Sequence, residues 1–184
     1  MKVSREQMAR NRSRILMEAG RLFREKGFDA VSVAEVMKAA GLTHGGFYGH
    51  FASKDDLIAQ TLAEILADTG PSGGNLSTWL DSYLSPRHRD NPAKGCPTAS
   101  LAADTRLQGD AARAALTNGL RTQIDRMAAA IPGDTEDEKR RATIGNWAAM
   151  VGALVLSRAV DDPLLSDELL RQTRAWIDEK QPGR

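Results

Sequence analysis

The stretch Ser32–Lys54, SVAEVMKAAGLTHGGFYGHFASK, decides the fold of the N-terminal part of this chain. Ser32 is followed three residues later by Glu35, which is the pattern of a capping box at the start of a helix. Gly41 ends that helix, because glycine adopts at little cost the left-handed conformation that closes a helix. Ser53 begins a further helix as its N-cap. The stretch therefore predicts two short helices joined by a tight glycine turn, which is the arrangement of a helix-turn-helix.

The second of these helices is predicted over about 44–51, with Thr43 as its N-cap, and it contains three glycines. Gly45, Gly46 and Gly49 each cost a helix interior about 1 kcal/mol relative to alanine. A helix that only packs into a core does not need them, whereas a bare backbone suits a helix that lies in a DNA major groove. The alternative is that this segment is a loose loop.

Charge is unevenly distributed along the 184 residues, whose net charge is +1. Residues 1–55 carry 10 Lys and Arg against 6 Asp and Glu, while residues 56–184 carry 15 against 18. A basic N-terminal third favours an acidic partner such as the DNA backbone, although a chance asymmetry of surface charge is the alternative. No signal peptide and no membrane-length apolar run is visible, and a single cysteine suits a reducing compartment. We therefore expect a cytoplasmic protein.

Helical patterns continue along the rest of the chain, and no stretch alternates as a strand does. Beyond a Gly- and Pro-rich break at 70–74, helices are predicted over about 76–84, 97–107, 110–130, 136–160 and 164–179. Ser85–Lys94 is predicted to be an exposed loop. The predicted fold class is all-α with about nine helices. Residues 1–54 would form a helix-turn-helix DNA-binding domain, and residues 55–184 an effector-binding and dimerisation domain.

Residues 33–57 resemble the DNA-binding head of the TetR/AcrR family of transcriptional regulators. The shared features are Ala40-Gly41, Thr43, Phe47-Tyr48, His50-Phe51 and Ser53-Lys54. The resemblance is close over about 15–62, and beyond that it rests on the number and length of the helices. A Gly-Cys-Pro segment at 95–97 also resembles one subgroup of the family.

The resemblance implies a set of DNA-contacting positions: Ser32, Thr43, His44, Gly45, Gly46, Tyr48, His50 and Lys54. The Tyr48 phenol can donate a hydrogen bond to a phosphate, and Lys54 lies in the first turn of a helix, where phosphate is favoured. Core packing remains the alternative role for Tyr48 and for His50, while Phe47 and Phe51 are assigned to the core. His44, Gly49 and Ala52 depart from the commonest family pattern, which leaves the operator sequence open.

Two heads on one rigid dimer are normally needed for tight DNA binding. The last two helices are predicted to pair with their symmetry mates, because residues 143–160 are apolar around most of the helix circumference. The interface residues expected are Trp147, Val151, Leu154, Val155, Leu169 and Trp176. The alternative is that helix 143–160 is central to one subunit.

The helices between about 57 and 131 are predicted to enclose an effector site. Trp79, Tyr83 and Met127 are its apolar candidates, with ordinary core packing as their alternative role. Cys96 is the candidate sensor, because a thiol at the start of a helix and near Lys94 favours the thiolate, as in Gly-Cys-Pro members of the family. An inert, half-buried thiol is the alternative. No catalytic triad, metal-ligand spacing or cofactor motif is visible, so no enzyme is predicted.

These features predict a ligand- or redox-responsive transcriptional regulator, most simply a repressor. It would bind a palindromic operator as a homodimer and be released by a small apolar or electrophilic effector. The alternative is a helical small-molecule-binding or thiol-reactive protein whose helix-turn-helix mediates protein contacts.

Overall fold

The computed structural model of the protein describes residues 4–67, 69–70, 76–131 and 133–180. Within these ranges the chain is all-α, as predicted. The α-helices are α1 (Arg5–Lys26), α2 (Val33–Ala39), α3 (Lys54–Ala67), α4 (Leu76–Tyr83), α5 (Pro86–Arg89), α6 (Pro97–Thr105), α7 (Asp110–Ala130), α8 (Glu136–Ala159) and α9 (Pro163–Lys180). Two 3-10 helices lie at His44–Gly49 and Pro92–Lys94. The predicted break at 70–74 lies outside the described residues except for Gly70. No described helix has the length and apolar character needed to cross a membrane.

Local hydrogen bonds set both ends of α2. The Ser32 hydroxyl accepts from the Glu35 amide at 3.1 Å and so begins α2. At the other end, Gly41 has φ +67°, and the Leu42 amide donates to the Met37 carbonyl at 2.8 Å. This bond and the left-handed glycine form a Schellman motif, which stops the helix and reverses the chain. The predicted Ser32 cap and glycine turn are confirmed, but the Glu35 carboxylate accepts from Lys26 Nζ at 2.7 Å and not from the Ser32 amide, as a capping box requires.

One core cluster holds together the N-terminal helices, which we call the head: α1, α2 and the 3-10 helix His44–Gly49. The head packs on α3. Fully buried side chains in this cluster include Phe23, Phe28, Phe47, Met37 and Leu57. Leu101 of α6 and Ala112 of α7 belong to the same cluster. The head is therefore packed onto the rest of the protein and is not an isolated module.

A second core cluster lies between α4, α8 and α9. It contains Trp147, Met150 and Leu154 of α8 together with Leu170 and Ile177 of α9. Trp147 is 5% exposed and Leu154 is fully buried. The prediction that these two residues form a dimer interface is corrected here, because side chains buried within one subunit offer no surface to a partner.

The segment 85–96 differs from the predicted exposed loop. It forms α5 and the 3-10 helix Pro92–Lys94, and two arginines hold its backbone. Arg24 of α1 donates from Nε to the Ala93 carbonyl at 2.9 Å. Arg158 of α8 donates from Nη2 to the His88 carbonyl at 3.0 Å. Both bonds join residues about 70 positions apart, so neighbouring sequence gives no sign of them.

Candidate DNA-binding surface and effector cavity

The predicted recognition helix is a 3-10 helix and ends at Gly49, two residues before the predicted end. Thr43 is its N-cap residue, but the Thr43 side chain makes no capping hydrogen bond. Instead, the Gly46 amide donates to the Thr43 carbonyl at 3.0 Å. Three glycines in so short a segment remove most of the helix propensity, which explains why a tighter and weaker helix forms here.

No contact within the protein requires glycine in this segment. A Cβ atom added to Gly45 would meet no atom within 4 Å. At Gly46 and Gly49 the nearest atoms would be methionine Cε atoms at 3.7 and 3.9 Å, which are ordinary contact distances. None of the three residues has a positive φ. Gly45 therefore faces open space, and Gly46 and Gly49 are exposed positions that would accept a Cβ atom without displacement of their neighbours.

Tyr48 projects from this segment into solvent. Its side chain is 73% exposed, whereas Phe47 and Phe51 are buried, as predicted. The Tyr48 ring meets Phe47 edge to face, with centroids 5.3 Å apart. This contact supports the ring of Tyr48 and leaves the side chain largely open, so a core role for Tyr48 is excluded.

His50 is half-buried and lies beside Arg12 of α1. The Arg12 Nη1 atom donates to the His50 carbonyl at 2.8 Å, and the Arg12 guanidinium lies 4.7 Å from the centroid of the Phe51 ring. Burial lowers the pKa of His50, and the Arg12 cation acts in the same direction. His50 is therefore favoured in its neutral form, while Arg12 carries the positive charge at this end of the 3-10 helix.

Lys54 is the first residue of α3, whose start is well defined. The Ser53 hydroxyl accepts from the Asp56 amide at 3.1 Å, and the Asp56 carboxylate accepts from the Ala52 amide at 2.9 Å. Hydrogen bonds from Gln60 and from the Ala52 amide lower the pKa of Asp56. Lys54 is thus held at a helix N-terminus, where both its ammonium group and the helix dipole favour an anion.

Two arginines at this surface were not among the predicted site residues. Arg14 lies against the helix-turn-helix turn, where a Cβ atom on Gly41 would come within 2.8 Å of its Nη2 atom. Arg12 holds the His50 carbonyl, as described above. Their position could not be read from the first helix alone, since several arginines occupy different faces of it. All eight predicted DNA-contacting residues are exposed or half-buried.

A cavity of about 530 Å³ lies between α4, the segment 85–96, α7 and α8. Of the predicted effector residues, Trp79, Tyr83 and Cys96 line it. Met127 does not line it but is buried in the second core cluster, which corrects that prediction. The cavity also has lining residues that were not predicted for it: Gln123, Trp147, His88, Asn91, Arg87 and Lys94.

His88 is fixed in one neutral tautomer by its two neighbours. The Cys96 amide donates to Nε2 at 2.9 Å, so this nitrogen carries no proton. Nδ1 lies 2.7 Å from the Tyr83 carbonyl, which can only accept, so the proton is on Nδ1. Burial lowers the pKa of His88 and keeps the ring neutral.

Each residue of the Gly-Cys-Pro segment at 95–97 has a structural role around His88 or at the start of α6. A Cβ atom on Gly95 would lie 3.0 Å from both His88 Nε2 and Arg158 Nη2, so only glycine lets these groups approach without displacement. Cys96 supplies the amide that binds His88, and Pro97 is the first residue of α6. The segment therefore has a structural role that is independent of the thiol.

Cys96 itself is buried, with 8% of its surface exposed. It occupies the N-cap position of α6, but its side chain makes no capping hydrogen bond. The guanidinium groups of Arg24 and Arg158 both lie within electrostatic range of the thiol. Burial raises the pKa of the neighbouring Tyr83, and Cys96 adds to this effect. Positive charge around Cys96 thus comes from two distant helices and not from a helix cap.

The outer face of α8 and α9 carries several large apolar side chains that are exposed. Exposure reaches 42% at Val155 and 43% at Trp176, two of the predicted interface residues. Val151 and Leu169 are half-buried. Further exposed apolar residues on these helices are Ile144, Leu156, Leu164 and Leu165.

Within the described residues, no three His, Cys, Asp or Glu side chains are close enough to share a metal ion.

Comparison with known proteins points to one family. Residues 15–61 match the family described as bacterial regulatory proteins of the tetR family. The regulator AcrR of Shigella flexneri is 39% identical over 57 residues, which cover 31% of this chain and 26% of AcrR. The repressor BdcR of Escherichia coli is 35% identical over 86 residues, which cover 41% of this chain and 44% of BdcR. The chain thus spans less than half of the length of either relative.

Solved structures match over nearly the whole chain. A TetR-family regulator from Cytophaga hutchinsonii has a TM-score of 0.73 at 18% identity, with all of both chains covered. The reduced form of Escherichia coli NemR has a TM-score of 0.68 at 19% identity, and 95% of this chain and 99% of NemR are covered. At this level of identity the likeness shows the fold: a helix-turn-helix head followed by a helical domain.

Proposed function

This chain belongs to the TetR family through its N-terminal domain, and we propose that the whole protein is a dimeric, effector-responsive transcriptional repressor. Residues 1–54 bind DNA and residues 55–184 pair the subunits and hold the effector. The observation that carries the proposal is the bare, solvent-facing backbone at Gly45 and Gly46 beside the exposed Tyr48. A surface with these properties suits close approach to a duplex.

DNA contact would combine three kinds of group. The Tyr48 hydroxyl donates to a phosphate oxygen, while Lys54 and the first amides of α3 bind another phosphate. Thr43 and His44 reach base edges or nearby phosphates, and Ser32 and His50 add polar contacts. Arg14 joins this set, because its guanidinium lies over the turn at Gly41.

Pairing through the exposed apolar face of α8 and α9 would place two heads on successive major grooves, about 34–36 Å apart. Val155 and Trp176 are its central residues, with Val151 and Leu169 at its edge. An effector in the cavity then releases DNA by favouring a different spacing of the heads. The contact of Arg24 with the Ala93 carbonyl supports this coupling, since it joins α1 of the head to the cavity wall.

The test of DNA binding begins with selection of bound fragments from genomic DNA. Affinity for the selected operator is then measured between about 50 and 200 mM salt, where phosphate contacts produce a steep loss. Lys54→Gln is expected to weaken binding to all sequences and to reduce the salt slope by about 1. Lys180→Gln, an exposed cation at the far end of α9, serves as the control and leaves the slope unchanged. A salt-independent interaction would instead favour the protein-contact alternative.

Cys96 is proposed as a site for electrophilic or oxidising effectors, because it lines the cavity in which an effector would bind. A thiol-reactive quinone is expected to release the wild-type protein from operator DNA by forming a bond to the sulfur. Cys96→Ser should resist release at the same concentration. Equal release of both proteins would remove the thiol from the mechanism without affecting the DNA-binding proposal.

A further inference from the structure

One wall of the cavity is built from aromatic rings. The rings of Trp79 and Trp147 are inclined by only 22°, with centroids 6.2 Å apart. Tyr83 packs against both, at 5.6 and 5.4 Å. The volume of about 530 Å³ is that of a small-molecule site. A wall of flat rings favours a flat, unsaturated ligand, because stacked and edge-on ring contacts add to simple apolar burial.

Two buried polar atoms of the cavity-lining residues have no hydrogen-bond partner among the described residues. They are Trp147 Nε1 and Gln123 Oε1. The first can only donate and the second can only accept. Because a buried polar atom without a partner is costly, a ligand that carries both an acceptor and a donor is favoured.

The charge of the cavity wall is positive. Arg87 and Lys94 line the cavity, and no Asp or Glu is among its described lining residues. Asp68, next in sequence to a lining residue, lies outside the described residues. The Asp90 carboxylate, close in sequence, is already bound by Arg89 at 2.8 Å.

Two further cations, Arg158 and Arg24, act on residues that line the cavity. Arg158 interacts electrostatically with both Tyr83 and Cys96, and Arg24 with Cys96. His88 adds no charge of its own, because its hydrogen bonds hold it neutral. The electrostatic field in the cavity therefore favours an anion.

We propose that the cavity binds a planar aromatic anion of one or two rings that carries a carboxylate and a hydroxyl group. The ring packs against Trp79 and Trp147, the carboxylate accepts hydrogen bonds on the side of Lys94 and Arg87, and the hydroxyl donates to Gln123. This inference rests on the proposed function only in taking the cavity as the effector site. It names the ligand class, which neither the head nor the thiol specifies.

The test is isothermal titration calorimetry on the full chain without DNA, using three probes of one size. 6-Hydroxy-2-naphthoate has the proposed chemistry, 6-hydroxy-2-naphthamide lacks the charge, and 6-hydroxydecahydro-2-naphthoate keeps the carboxylate and the hydroxyl group but lacks the flat ring. We expect the first probe to bind at least about tenfold more tightly than either of the others, as a charge-assisted hydrogen bond and ring contacts would provide.

Two variants assign the contacts. Lys94→Gln, at an exposed position, is expected to reduce the preference for the naphthoate over the amide, whereas Arg121→Gln on the exposed side of α7 leaves it unchanged. Gln123→Met is expected to abolish the preference of the wild-type protein for 6-hydroxy-2-naphthoate over 2-naphthoate. Circular dichroism spectra identical to that of the wild type establish that each variant is folded.

The proposal is overturned if none of the probes binds at millimolar concentration, or if the amide or the saturated acid binds as tightly as the naphthoate. An unchanged naphthoate-to-amide ratio in Lys94→Gln would also overturn it. Because no DNA is present, failure here is separate from failure of the regulator proposal, which operator binding and its salt dependence decide.

Discussion

At the scale of single residues, Gly45 is a position where the fold does not require glycine but DNA binding is proposed to require it. Its φ is not positive, and, apart from its chain neighbours and the backbone of its own helix, no atom lies within 4 Å of the position that a Cβ atom would occupy. The fold therefore tolerates a larger residue at this position. DNA binding does not tolerate one if a duplex backbone packs against Gly45.

Gly45→Ala is accordingly expected to raise the free energy of unfolding by about 0.4–1 kcal/mol, because alanine reduces the entropy of the unfolded chain. The same substitution should weaken operator binding by about tenfold, which corresponds to a steric cost of about 1.4 kcal/mol. Thermal unfolding and operator titration measure the two effects. Unchanged DNA affinity would place Gly45 outside the DNA contact.

At the scale of helices, α3 is packed closely on both sides by glycines of its neighbours. A Cβ atom on Gly20 of α1 would lie 2.7 Å from Ile65 Cγ2, and one on Gly119 of α7 would lie 2.6 Å from Leu66 Cβ. Leu66 is buried, with only 1% of its surface exposed. These close contacts join α3 both to α1 of the head and to α7, one of the helices around the cavity.

Gly119→Ala should destabilise the protein by about 1–3 kcal/mol, since overpacking outweighs the gain of about 1 kcal/mol in helix propensity. Asn118→Ala, the exposed neighbour on the same helix, should be neutral or slightly stabilising. Urea unfolding of both variants gives the comparison. A Gly119→Ala protein as stable as the wild type would mean that α3 and α7 can separate without loss.

At the scale of the whole molecule, the exposed apolar face of α8 and α9 is the surface that the proposed dimer would bury. Trp176 and Val155 are more than 40% exposed, yet both are large and apolar. Leu107 is 66% exposed as well, but it lies in the turn between α6 and α7 and belongs to neither α8 nor α9.

Trp176→Arg is expected to convert a wild-type dimer to a monomer, because pairing would bury two unpaired charges. Leu107→Arg is the matched control and should remain dimeric. Size-exclusion chromatography with light scattering at micromolar concentration reports the mass of each protein. A monomeric wild-type protein, or dissociation of the control, would count against pairing through α8 and α9.

The head could be predicted from the sequence because its determinants are local. The Ser32 and Ser53 caps and the Gly41 turn depend on bonds between residues no more than five positions apart. The burial of Phe47 and Phe51 followed from their spacing. The same local chemistry did not decide between an α-helix and a 3-10 helix at His44–Gly49, since weak propensity permits either and packing selects one.

The sequence by itself determined the all-α class, the position of the head and its glycine-bare surface, because hydrogen bonds between near neighbours and apolar spacing specify them. Only the tertiary structure decided which residues form the cavity. Periodicity shows that α8 is apolar on several sides, but it cannot tell that Trp147 and Leu154 face their own subunit while Val155 faces solvent. Nor can it show that Gln123 and Cys96 line one cavity or that Arg24 binds the Ala93 carbonyl, since both depend on how distant helices pack.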